Sequence, residues 1–224
     1  MKSRFFMPVL VLAIFVSWMI SLGLGKWALP ESKSRVSASF SQFLQPRVVL
    51  AWEPEFRLTS KTFENNQFIP PSMVYSGQLG SVCTGNNISP DLSWTQAGRG
   101  TRSYAVALYD VTANFTHWGI YNIPPTTTEL LAGAGTPGGN ALQVYNDAGI
   151  QGYSGPCPPP DLVPNGIHYY VFTVYALDKE LNLTPSPDFP PGADGLYRAM
   201  VGHVIDQASL TGRFSCSDSA STCN

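Results

Sequence analysis

A mainly β fold is predicted, a sandwich or one large antiparallel sheet, with a single helix near the C-terminus. Three observations lead there. Only 12% of the 224 residues are charged, while 20 glycines and 19 prolines punctuate the chain, a composition of many turns and few long helices. The segments "FRLTS" (56–60), "YAVALYD" (104–110), "HWGIYNI" (117–123) and "YYVFTVYAL" (169–177) are rich in β-branched and aromatic residues and are bounded by Gly, Pro, Asn or Thr. Helical spacing occurs in one place, where Leu196, Ala199, Met200, His203, Val204, Gln207 and Ala208 recur at steps of three and four after a "PPGAD" lead-in. The spacing predicts an amphipathic helix over 196–208, packed on the sheet.

The N-terminus reads as an export signal. Lys2 and Arg4 precede an uncharged apolar run over residues 5–25, and Gly23-Leu24-Gly25 offers a small-x-small cleavage site. The run is also long enough to remain as a membrane anchor. Residues 26–54 have no clear period and read as a spacer. The globular domain is expected over 55–214, followed by a polar, cysteine-containing tail over 215–224. The expected location is periplasmic or secreted, or anchored to the membrane by residues 5–25.

Four cysteines suit an oxidising compartment. With no C-x-x-C pair and only 3 histidines, zinc spacings are absent, so no metal site is expected. Cys216 and Cys223 flank "SDSAST" and suit a local clasp, which leaves Cys83 to pair with Cys157. The alternative is that one or both pairs stay as thiols. A formal charge of −2 gives no basic stripe for a phosphate backbone, and nucleic acid is excluded as a partner.

The polar residues cluster at strand ends. Asp110 closes one predicted strand and His117 opens the next, so a hairpin through "VTANFT" places both at one rim of the sheet. His168 stands at the start of its own strand, directly after the stiff "GPCPPP" loop. If these strands share a sheet, three ionisable side chains meet beside Trp118, Tyr169 and Tyr170 in a small pocket. Elsewhere, "GAGTPG" (133–138) satisfies G-x-G-x-x-G, but no strand precedes it, Pro137 interrupts it and no helix pattern follows. His203 lies within the predicted helix among apolar neighbours, which assigns it to packing. N-x-S/T sequons occur at Asn87, Asn114 and Asn182.

Five segments together carry a family likeness: "CTGNNISPDLSW" (83–94), "HWGIYNIP" (117–124), "GYSGPCPP" (152–159), "HYYVFTVYALD" (168–178) and "AMVGHVIDQASLTGRF" (199–214). In this order and spacing the chain resembles the phosphatidylethanolamine-binding proteins, in particular their bacterial Raf-kinase-inhibitor-like branch, over about residues 55–214. The resemblance implies a large antiparallel sheet backed by a smaller one, a helix near the C-terminus, and a rim pocket for anionic groups such as phosphate esters. It carries ligand-binding roles onto Asp110, His117, Gly155, Pro156, His168 and Tyr170. The likeness is broken where the family has D-P-D-x-P, since the chain reads Asp110-Val111-Thr112-Ala113-Asn114 and lacks the second carboxylate and both prolines. Thr84 likewise replaces an aspartate, and "YSGQLGSV" before Cys83 reads as a small insertion.

The function expected is a cofactor-free, non-enzymatic binding protein. Its partner is a small anionic ligand, or a phosphorylated or anionic group on a protein, through which it modulates a kinase or protease. The membrane enters only through an uncleaved N-terminal segment. The alternative is a metal-free hydrolase built on Ser154, His117 and Asp110, although "GYSGP" has Pro156 where a nucleophile elbow needs glycine. For the binding reading, Asp110 is expected to charge a histidine, so that a doubly protonated ring on His117 or His168 donates to phosphate as pH falls from about 8 to 6.

Overall fold

The computed structural model describes residues 55–76, 83–158, 166–185 and 192–216. The export segment over 5–25, the spacer, and most of the C-terminal tail with Cys223 lie outside the described residues. All that is described belongs to one unit, residues 50–224.

Among the described residues, eight strands and one α-helix follow in the order β1 (Leu58–Thr59), β2 (Gln67–Phe68), β3 (Leu92–Trp94), β4 (Ser103–Asp110), β5 (Phe115–Ile123), β6 (Glu129–Leu130), β7 (His168–Leu177), α1 (Gly192–Met200) and β8 (Val204–Phe214). They form a large sheet of order β2-β8-β7-β4-β5 and a small one of order β1-β3-β6. The large sheet is antiparallel except at its edge, where β2 runs parallel to β8.

Strand alternation builds two faces on the large sheet. Along β7, His168, Tyr170, Phe172, Val174 and Ala176 are buried, while Tyr169, Val171 and Tyr175 between them are more exposed. The inner face meets the small sheet in one core that joins Leu58, Leu92 and Trp94 to Tyr104, Val106, Leu108, Trp118, Phe172 and Val174. On the outer face, Leu196 and Met200 of α1 pack against Ala105, Tyr121, Val144, Leu177 and Leu181. Burying these two side chains contributes about 2 kcal/mol each. That contact holds a helix of 9 residues, too short to persist alone.

Of the predicted helix over 196–208, the part from Leu196 to Met200 is helical, and the helix begins earlier, at Gly192. It ends at Met200, and Gly202 takes the left-handed conformation with φ 77° that closes a helix C-terminus. From Val204 the chain is β8, paired with β7 from Leu177↔Val204 to His168↔Phe214. The first part of β8 is solvent-facing, so "VIDQA" shows no inward alternation, and pairing with β7 overrides its local pattern. His203 is accordingly in an exposed turn, with Nδ1 2.9 Å from Asp178 Oδ1, and is not a packed helix residue. Among the described residues no helix is long and apolar enough to cross a membrane.

Candidate functional site

The site begins with the hairpin between β4 and β5. Asp110 is paired with Phe115, so the loop is the four residues Val111 to Asn114, and β5 starts two residues before His117. Asp110 Oδ1 accepts the Thr112 N–H at 2.8 Å and the Ala113 N–H at 3.1 Å, and Asn114 takes φ 53°. This side-chain-capped turn suits Asp and Asn for those reasons. A β-bulge follows, because Leu108 faces Trp118 while Tyr109 faces Thr116. The extra residue is His117, which turns inward beside Trp118 instead of alternating with it. Its ring lies 4.8 Å from that of Phe115 and 5.2 Å from that of Tyr170, while Trp118 packs on Tyr153.

β7 brings the second histidine. His168 pairs with Phe214 and Tyr170 with Asp110 across the neighbouring strands. His168 Nδ1 lies 2.6 Å from Asp110 Oδ2, and both side chains are almost fully buried. A carboxylate can only accept, so Nδ1 carries the proton. The carboxylate thus holds a hydrogen bond to the ring with one oxygen and the turn with the other. His168 Nε2 and the Tyr170 hydroxyl are buried with no hydrogen-bond partner among the described residues.

These groups line a cavity of about 300 Å³ with Ala113, Phe115, His117, Cys157 and Pro158. Four of the six predicted ligand-binding residues, Asp110, His117, His168 and Tyr170, are therefore brought together. Gly155 and Pro156 are not in the lining. The Gly155 N–H donates to Asn87 Oδ1 at 2.7 Å, and the Pro156 carbonyl accepts the Tyr75 N–H at 3.1 Å. A Cβ at Gly155 would overlap the main chain of Met73 to Tyr75, so this pair anchors the loop while the next two residues form the wall. A disulfide joins Cys157 to Cys83, as predicted, with Cα atoms 5.8 Å apart. The predicted Cys216–Cys223 clasp lies outside the described residues because Cys223 does.

The electrostatics depart from expectation at His117. Its Nδ1 is 2.8 Å from the Ser154 carbonyl oxygen, which requires a proton on Nδ1 and leaves Nε2 as an acceptor when the ring is neutral. Burial pushes the imidazole down from 6.5 to about 4, outweighing the opposing pull of the Ser154 hydrogen bond and the Asp110 charge. His117 is thus neutral from pH 6 to 8, and the expected doubly protonated ring does not hold for it. Tyr170 is pushed well above 10, by burial first and then by the Asp110 charge, and keeps its O–H. The hydrolase triad is not assembled. His117 Nδ1 meets the carbonyl of Ser154, and Asp110 is engaged with His168.

Sequence reasoning missed the residues that brace this pocket. Asn87, read as a sequon, takes φ 54° and links Gly155 to the Tyr153 carbonyl, which lies 3.4 Å from its Nδ2. Asn146 donates to the His117 and Gly152 carbonyls at 3.1 Å each while accepting the Ala148 and Ile150 N–H groups. Nothing in the sequence around either residue marks it. Residues of "GAGTPG" serve the same loop, since the Gly135 N–H donates to Ser89 Oγ and its carbonyl accepts the Tyr153 N–H.

The family described as "Phosphatidylethanolamine-binding protein" matches residues 59–215. The chain belongs to that family. Among curated relatives, a UPF0098 protein of Methanothermobacter thermautotrophicus is 41% identical over 139 residues, covering 59% of this chain and 86% of the relative. The UPF0098 protein YbhB of Escherichia coli is 36% identical over 173 residues, covering 71% and 99%. The crystal structure of E. coli YbcL, described as a new member of the mammalian PEBP family, superposes with a TM-score of 0.62 at 34% identity, covering 72% of this chain and 98% of YbcL. The architecture predicted from the resemblance, a large sheet backed by a smaller one with a helix near the C-terminus, is the one observed. Where the PEBP motif has its second carboxylate, Thr112 Oγ accepts the Tyr169 N–H at 3.1 Å and is not in the cavity lining.

Proposed function

We propose that the protein is an exported PEBP-like binding protein whose rim pocket holds a phosphate ester or a similar anion in its singly protonated form. The observation that carries this reading is the pair of buried polar atoms, His168 Nε2 and Tyr170 Oη, left without partners among the described residues in the wall of a cavity. Buried polar groups are otherwise satisfied in folded proteins, so a partner from outside the chain is the natural complement. The ligand chemistry follows from what each atom offers. Tyr170 donates to an anionic oxygen. With its proton on Nδ1, a neutral His117 or His168 ring accepts at Nε2, which a P–OH satisfies and a bare phosphate oxygen does not.

A phosphate monoester loses its second proton near pH 6. Free His117 binds a proton only near about pH 4. Between pH 6 and 8 the proton therefore arrives with the ligand. The sign follows: affinity rises as pH falls from 8 to 6, by at most about tenfold per unit, because the monoanion becomes more abundant. Below about 6 the rise levels off.

The anionic group is either free or carried by a partner protein, and the second arrangement is how such a module would modulate a kinase or protease. Export is supported by the Cys83–Cys157 disulfide together with the N-terminal sequence. Binding without turnover is the proposed activity; in its support, among the described residues His117 Nδ1 is engaged by the Ser154 carbonyl and Asp110 by His168.

Titration calorimetry with phosphoethanolamine and inorganic phosphate tests the proposal. Binding should weaken by about 1.5–3 kcal/mol in His117→Ala, the loss of one hydrogen bond to a charged group. Absence of binding at millimolar ligand, or equal binding by the variant, would remove the pocket from the function.

A further inference from the structure

A second cavity, of about 530 Å³, opens on the opposite face of the large sheet. It is lined by Tyr109 of β4, Tyr175 of β7, Tyr197 of α1 and the carboxylates of Asp147 and Asp194, with no Lys, Arg or His among the described residues of its lining. The volume lies within the usual range for small-molecule sites. Val111 lines this cavity, whereas its neighbour Asp110 lines the rim pocket, so the β4–β5 hairpin separates the two.

Asp147 is held by the fold. Its Oδ2 accepts the Thr116 N–H at 2.7 Å, whereas Oδ1 is buried with no hydrogen-bond partner among the described residues. Asp194 is exposed and shares its charge with Arg198, 3.1 Å away on the helix surface. The Tyr175 and Tyr197 rings meet edge to face with centroids 6.4 Å apart. Both phenols are pushed above 10 by burial, so the rings remain neutral.

A carboxylate and tyrosine rings in one lining together repel anions and attract cations. The chemistry also selects among cations. A divalent metal needs several ligating side chains, and among the described residues no group of three or more His, Cys, Asp or Glu could hold one. An ammonium carrying apolar substituents meets both surfaces, its charge against Asp147 and its carbon groups against tyrosine.

We propose that this outer-face groove is a binding site for a small organic cation, a primary or quaternary ammonium compound, independent of the rim pocket. Asp147 anchors the charge, and Tyr175 and Tyr197 receive its carbon shell.

Choline chloride is the probe, titrated into the full-length protein by calorimetry and by saturation-transfer NMR. Binding is expected in the millimolar range. Asp147→Asn keeps an oxygen for the Thr116 N–H but removes the charge, and should weaken choline by about tenfold or more at an unchanged melting temperature. Tyr175→Leu, which keeps bulk and removes the ring, should weaken it as well, and this second variant decides the matter if Asp147→Asn proves unstable. Saturating inorganic phosphate should leave choline binding unchanged. No choline binding at about 50 mM, undiminished binding by the folded variants, or displacement of choline by phosphate would overturn the proposal.

Discussion

Replacing Asp110 should separate its two tasks, supporting a turn and setting a histidine tautomer. Asp110→Ala removes the acceptor for two backbone N–H groups and for His168 Nδ1–H, all beneath a surface that leaves the aspartate 2% exposed. A hydrogen bond to a charged group contributes about 1.5–3 kcal/mol, and the three share one carboxylate and are not additive, so a loss of about 3–5 kcal/mol is expected. Asp110→Asn keeps one oxygen for the turn and should cost about 1–2 kcal/mol. Its amide N–H₂ then faces His168, whose Nδ1 must become the acceptor and whose proton moves to Nε2. Urea unfolding at constant m-value gives the two losses, and nitrogen NMR of the imidazole gives the tautomer. Equal destabilisation by Ala and Asn, or a His168 that keeps its proton on Nδ1 in Asp110→Asn, would refute the assignment of roles.

The loop behind the pocket gives a second expectation. Gly155→Ala pushes a methyl into the main chain of Met73 to Tyr75 and should cost about 1–3 kcal/mol, read as a lowered melting temperature. Cys83 and Cys157 are 74 residues apart, so removing their bond in a Cys83→Ser, Cys157→Ser double variant should lower stability by about 4 kcal/mol in urea titrations against the unaltered protein. His203→Ala, which removes only a solvent-facing contact with Asp178, should change stability by less than about 1 kcal/mol in the same titration.

What the sequence made legible was the part written in side-chain type. The aromatic and β-branched runs of β4, β5 and β7 announced themselves, and with them the strand ends that carry Asp110, His117, His168 and Tyr170. What stayed hidden depends on partners distant in the chain. The first turns of β8 face solvent and read as helix until β7 is beside them. The bulge at His117 exists only in register with β4, and it is what turns the histidine into the pocket. The proline loop pointed to the correct wall, but the residues that face the cavity, Cys157 and Pro158, follow the pair that the family motif named. Burial reversed the expected charge of His117, because desolvation outweighs the nearby aspartate that favoured protonation.

On the proposed reading, the rim pocket accepts an anion that carries its own proton. Methyl phosphate and methyl sulfate test it most directly, since they match in shape and only the phosphate monoanion has a proton to donate to His117. Calorimetry at pH 6 and pH 8 should show methyl phosphate binding more tightly at the lower pH, by about tenfold or more, while methyl sulfate binds weakly and equally at both. Methyl sulfate binding as well as methyl phosphate at pH 6, or methyl phosphate binding more tightly at pH 8, would contradict the claim.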